Sequence, residues 1–353
     1  MILVLLSGAI IFLPACTNSE SEELVDNTDD SGEGDDDDSP SDTGSETAGQ
    51  LTTSDGKTLW ITAVGSYVFE YDEGKLVMIG DYILTDNPLT ATYYDEDYTE
   101  TCYLTVNSSG YVSQLKIDED DDFTYTVKYS YNSAGHLTKI EASYSEEYEY
   151  DEGEKVTYSG SWTTVLTWNG DYLQKCVTSD SCVCEDEKYG SFYSVYNETY
   201  TYEYNDAYPN VTWQYTPAMQ YALCYDLEEL LDGLPYVGYL GKGPSYNPIS
   251  FGWEEELYSD EDGEWDGWSD SYSYSCQYLI NSDGTVYSST IHSDDYDSDD
   301  IAYFEYADYS SYLSSTSSSN TKSLETSEEA TTGSSSYRSI GRSRMRSRRL
   351  TNR

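Results

Sequence analysis

Histidine is nearly missing from this chain: 353 residues hold only His136 and His292. Two histidines exclude an H-E-x-x-H zinc site and any three-histidine metal centre. There is no G-x-S-x-G elbow and no glycine-rich phosphate loop ending in Lys-Ser/Thr, so the common nucleophile and nucleotide signatures are also absent. Arginine is missing between Thr52 and Leu313, where 51 Asp and Glu face 9 Lys, a net charge of −42. A body so acidic repels nucleic-acid phosphates, which excludes DNA or RNA as a partner. Leu, Ile and Val are sparse, and only Met1–Ala15 forms a long apolar run.

What replaces the aliphatic residues is tyrosine, with 40 Tyr beside 7 Trp and 6 Phe. They concentrate in residues 51–313, which are expected to form a single β domain with a core of its own. Val127–Tyr131 alternates in period two, Asn132-Ser133-Ala134-Gly135 supplies a tight turn, and Leu137–Ile140 leads out. Gly135 can take the positive φ of a hairpin turn, and Asn132 can bond its own backbone two residues on. Tyr67–Ile79, Tyr103–Val112 and Tyr278–Ile291 repeat the template, with looser copies at 148–153, 165–173 and 202–207. The spacing predicts an all-β fold: a large antiparallel meander of Tyr-rich hairpins, about a dozen strands or more, curled into an open or partial barrel. Leu223, Leu227, Leu230 and Leu231 stand at helical spacing before Gly233, which predicts one short helix near residues 223–232. Gly241–Pro248, with two prolines, reads as irregular loop.

Outside the body the composition changes. Residues 1–16 read as a lipoprotein signal peptide. Leu13-Pro14-Ala15-Cys16 resembles a bacterial lipobox, which makes Cys16 the expected lipidation site and a lipid-anchored membrane contact the expected attachment. No Lys or Arg precedes the apolar run, and Pro14 is unusual at its position. Residues 17–50 hold thirteen acids and no base, the composition of a disordered acidic tether. Residues 314–353 are Ser/Thr-rich and then basic, with all seven Arg between Arg338 and Arg353, and are expected to be a disordered linker and tail.

Candidate sites are weak by comparison. Asp260, Asp262 and Asp266 are hard oxygen ligands for a possible Ca²⁺, although the run does not fit an EF-hand loop. Trp162, Trp168, Trp213 and Trp253 are the candidate ligand-binding rings, suited to a sugar or peptide. Cys102, Cys176, Cys182, Cys184, Cys224 and Cys276 form an even set that permits disulfides with no pairing fixed. On a strand, Cys182 and Cys184 would share one face. No catalytic residue stands out, and no cofactor beyond the possible Ca²⁺ is implied.

Together the Tyr-rich hairpins with Asn/Asp-x-x-Gly turns, the late Leu-rich segment, Gly241 with Ser245-Tyr246-Asn247-Pro248, and the final Tyr278–Ile291 hairpin resemble a bacterial lipoprotein family of unknown function (domain of unknown function 4595). This chain lacks the Leu that the family pattern has between Asn247 and Pro248. The resemblance implies a porin-like fold and a cell-envelope, outer-membrane address, and brings no catalytic residues; the acidic stretch after Cys16 resembles a signal for export to the outer face, which adds surface exposure to the expectation. A membrane-embedded barrel is not expected, because the alternate face of the strands is mostly Ser, Thr, Glu and Lys. The reading is therefore a non-catalytic envelope protein binding an extracellular glycan or peptide. The alternatives are a structural or assembly component with a protein partner, or less favourably a carboxylate-dependent hydrolase.

Overall fold

A computed structural model describes residues 48–308, apart from 87, 95–98, 120–122, 150–154, 187–189, 224–231, 262–263 and 294–297. The predicted leader with Cys16, the predicted acidic tether up to residue 47 and the tail from residue 309 lie outside the described residues.

Seventeen strands form one sheet. They are β1 (Gln50–Thr52), β2 (Thr58–Val64), β3 (Tyr67–Asp72), β4 (Lys75–Ile79), β5 (Tyr82–Thr85), β6 (Thr90–Tyr94), β7 (Thr99–Val106), β8 (Val112–Glu119) and β9 (Phe123–Tyr131). They continue as β10 (Leu137–Glu149), β11 (Lys155–Asn169), β12 (Tyr172–Asp186), β13 (Gly190–Glu203), β14 (Ser250–Glu261), β15 (Glu264–Ile280), β16 (Val286–Ser293) and β17 (Ser298–Asp308). Each strand from β2 to β17 pairs antiparallel with its neighbours in sequence, and β17 returns to β2 with Phe304 opposite Val64 and Asp308 opposite Leu59. The barrel is therefore closed with sixteen strands, whereas local patterning predicted an open or partial one. Closure satisfies both edge strands, which would otherwise leave a row of unpaired backbone groups. β1 lies outside the ring and pairs with β2.

The repeated turn template is built the same way each time. Gly110, Gly135 and Gly284 donate their N–H to the carbonyls of Asn107, Asn132 and Asn281 at 2.9, 3.0 and 3.0 Å. Asn132 Oδ1 also accepts from the Ala134 and His136 amides, at 3.0 and 3.1 Å. These Asn/Gly hairpins lie at one end of the barrel. At their opposite ends the strands lead, in sequence, into acid-rich stretches, among them Asp95–Asp97, Asp120–Asp122 and Asp294–Asp297, which lie outside the described residues. The two ends thus differ in sequence as well as in position.

The described residues of 204–249 do not extend the sheet. They link β13 to β14 at the hairpin end of the barrel and fill its interior with Tyr215, Met219, Leu234, Tyr236 and Leu240, all buried. Bonds reach the wall on several sides: Gly49 N–H to the Val237 carbonyl (2.8 Å), Val112 N–H to Tyr239 (2.9 Å), Lys242 N–H to Gly135 (2.8 Å) and Ser245 N–H to Asp171 (3.0 Å). Tyr67 donates to Asp232 Oδ2 at 2.9 Å. The segment is a plug.

α1 spans Pro217–Leu223, just ahead of most of the predicted helix; of residues 223–232, Leu223 closes α1, 224–231 lie outside the described residues, and Asp232 is helical. Thr216 accepts from the Met219 and Gln220 amides at 2.9 and 3.2 Å, and Pro217 takes the first helical position, where its missing N–H costs nothing. The leucine spacing pointed past this Thr-Pro start. Gly241–Pro248 is irregular, as expected.

Candidate functional site

Two inner-wall clusters stand out. The inner face is the one whose side chains meet the plug, as when Tyr278 on β15 approaches Thr216 at 3.5 Å. Counting in twos from Tyr278 along β15 puts Tyr272 and Asp270 on the same face. Register then fixes the rest: Tyr272 lies opposite Trp253, Asp270 opposite Glu255, Glu255 opposite Glu198, and Tyr196 opposite Asp180.

The first cluster is an aromatic stack beside a row of carboxylates. Trp253 stacks on Tyr200 (6.1 Å between centroids, 4° between planes) and on Tyr272 (5.0 Å, 29°). Tyr272 and Trp253 are half-buried, Asp270 is exposed, and Tyr272 donates to Asp270 Oδ2 at 3.1 Å. Inward residues that still meet solvent show that water enters this part of the lumen. Next to them Glu198 and Glu255 are buried at 6% and 5% exposure, and the Tyr196 hydroxyl lies 2.7 Å from Glu198 Oε1 and 2.7 Å from Glu255 Oε2. Burial, and then these two carboxylates, hold the Tyr196 phenol far above the usual range for ionisation.

The second cluster pins the plug to the hairpin end. His136 is 1% exposed, with Nδ1 2.9 Å from the Lys242 carbonyl oxygen and Nε2 3.0 Å from Asp171 Oδ1. Its ring stacks on Trp168 at 4.1 Å and 19°. Trp168 Nε1–H donates to the Leu137 carbonyl at 2.7 Å, and Lys242 Nζ sits 5.9 Å over the Trp213 ring. His136 is a structural residue here, buried at its hairpin turn.

The four candidate tryptophans therefore divide. Trp168 and Trp213 gather around His136, Trp253 lines the lumen, and Trp162 is sealed in the core, its Nε1–H donating to the Tyr125 hydroxyl at 2.9 Å. Asp260 is half-buried on β14, whereas Asp262 and the side chain of Asp266 lie outside the described residues. The described residues contain no group of three or more His, Cys, Asp or Glu able to hold a metal. Cys102, Cys176, Cys182, Cys184 and Cys276 are all buried, while Cys224 lies outside the described residues. Burial pushes the Cys276 thiol up to about 12 and that of Cys176 higher still. Sequence reasoning missed the Glu198–Glu255 pair. Its only signal was glutamate on the apolar face of two alternating strands, invisible until their register is known.

No family model matches this chain, and no curated protein is similar to it in sequence. Among solved structures, a porin-like protein from Bacteroides uniformis is similar at 15% identity, with 73% of this chain and 94% of that chain covered and a TM-score of 0.31.

Proposed function

We propose that this chain is a lipid-anchored protein of the bacterial outer envelope whose plugged barrel binds an extracellular glycan, or failing that a peptide, without turning it over. The observation that carries the reading is the stack of half-buried Trp253 and Tyr272 on buried Tyr200, beside inward carboxylates. Flat rings offer a face for sugar C–H groups, and carboxylates accept from hydroxyls. Cys16 and the resemblance to the envelope lipoprotein family support the address. The plug argues against a pore. The outer wall argues against embedding, since Glu70, Lys128, Glu141, Lys175, Glu254, Glu256 and Glu305 are exposed on the strands where lipid would require an apolar band. At the Glu198–Glu255 pair the Tyr196 phenol fills the space that a scissile bond or attacking water would need, which weighs against the hydrolase reading. No Ca²⁺ is invoked.

On an array of oligosaccharides and peptides, the full chain is expected to select a glycan, and Trp253→Ala to weaken that binding about tenfold or more, equivalent to about 1.4 kcal/mol. No binding anywhere on the array, or equal binding by the variant, overturns the reading. One observation favours an assembly role as the second reading. Leu279, Ile301 and Tyr303, at 62, 48 and 54% exposure, cluster with Tyr287 on the outer wall of β15–β17. A stoichiometric envelope partner cross-linked to the wild type and lost in Leu279→Asp would support that role over glycan binding.

A further inference from the structure

Strands β13 and β14 bring Glu198 and Glu255 directly opposite each other on the inner wall, with one hydroxyl between them. Both contacts of Tyr196 Oη are 2.7 Å, the length of a hydrogen bond between oxygens. Two such bonds need two protons, and ionised carboxylates bring none. The phenol has one, and burial together with the flanking carboxylates keeps it there.

We propose that the second proton is held by the Glu198–Glu255 pair at neutral pH, making Tyr196, Glu198 and Glu255 a proton-locked latch across β13 and β14. One carboxylic acid donates to the phenol oxygen while the phenol donates to the other carboxylate, so the unit carries a single negative charge. The surroundings reinforce this. Asp180 faces the group from β12 and Asp270 from β15, and both raise the cost of a second negative charge. Tyr200, Trp253, Leu257, Trp268 and Tyr272 complete the neighbourhood on the same strands. The only cation among the described residues of β12–β15, Lys175, is exposed and sits one residue before the inward Cys176, so it faces away.

The latch makes the wall sensitive to pH, in a direction fixed by proton counting. The folded state keeps a proton that a free glutamate, ordinarily at about 4.3, releases. The native chain then binds more protons than the unfolded one, so stability contributed by the latch is present in acid and falls as pH rises above that range. On deprotonation the proton passes to solvent, two buried carboxylates are left with one donor between them, and β13 and β14 are pushed apart at that row.

Infrared spectroscopy of the full chain tests this. At pH 7 the wild type is expected to show a buried carboxylic-acid C=O band that disappears as pH is raised and is absent from both Glu198→Gln and Glu255→Gln. Asp180→Asn should retain it. The same two Gln variants should flatten the fall in urea midpoint that the wild type shows between pH 5 and pH 9. No acid band at pH 7 in the wild type overturns the proposal, as does a band that survives both Gln variants. If the Gln variants fail to fold, a wild-type band lost in Asp180→Asn overturns it, and one that survives there and titrates with the unfolding midpoint supports it.

Discussion

Replacing Trp162 with alanine is expected to lower the unfolding free energy by about 3–5 kcal/mol, the range for deleting a fully packed indole. The ring is 2% exposed on β11, and its Nε1–H donates to the Tyr125 hydroxyl, which is also buried. The variant opens a cavity and leaves that hydroxyl short of a donor in surroundings that water does not reach. Tyr125→Phe removes the acceptor alone and should cost about 1 kcal/mol. Urea unfolding followed by far-ultraviolet circular dichroism measures both. A loss below about 1 kcal/mol for the alanine variant would mean that the wall can collapse around the gap. Trp162→Phe, which keeps most of the bulk, should leave glycan binding at the wild-type level, because the ring has no exposed face to offer. That outcome separates Trp162 from Trp253, although the chain alone made them equal candidates.

Gly241→Ala is the second large effect. Gly241 has φ of +80°, and a Cβ there would meet the Gly135 carbonyl oxygen and lie 3.1 Å from the Tyr131 ring. The obstruction is backbone, in the hairpin that the plug clasps: Lys242 N–H donates to that same carbonyl, and His136 pairs with Gly241. Left-handed geometry costs an L-residue about 1–2 kcal/mol. Overpacking against an immobile neighbour adds about 1–3 kcal/mol. Together a loss of about 2–5 kcal/mol is expected, with loosening concentrated where the plug meets the hairpin end. Gly238 is the matched control, with φ of +78° and open space around the would-be Cβ. Its alanine variant should show only the left-handed cost, about 1–2 kcal/mol. Equal losses at the two positions would show that the clasp between plug and hairpin contributes nothing. Hydrogen exchange at the Lys242 and Ser245 amides, both bonded to the hairpin end, reports the loosening directly.

Much of the architecture was legible because it is local. Period-two alternation in Val127–Tyr131 and the Asn132–Gly135 turn are decided by residues within a few positions of one another, and the structure repeats that turn at Asn107 and Asn281 with the same bonds. Same-face placement of Cys182 and Cys184 followed from the pleat alone, and both are buried. The irregularity of Gly241–Pro248 followed from its prolines. The leucine spacing gave no cue to most of α1, whose first turn is set by Thr216-Pro217.

What the chain could not show is set by distant pairings. Closure joins Val64 to Phe304, a contact for which no neighbouring residue gives a cue. The plug hides its destination in the same way: its apolar residues state that they will be buried, not that a barrel lumen will bury them. The Glu198–Tyr196–Glu255 contact exists only because β13 and β14 align across the 46-residue plug, and a one-residue slip would turn those carboxylates outward. Local rules thus determined strands, turns and acidity. Register and closure, which depend on the free energy of the whole barrel, decided which of the many acids and rings would meet.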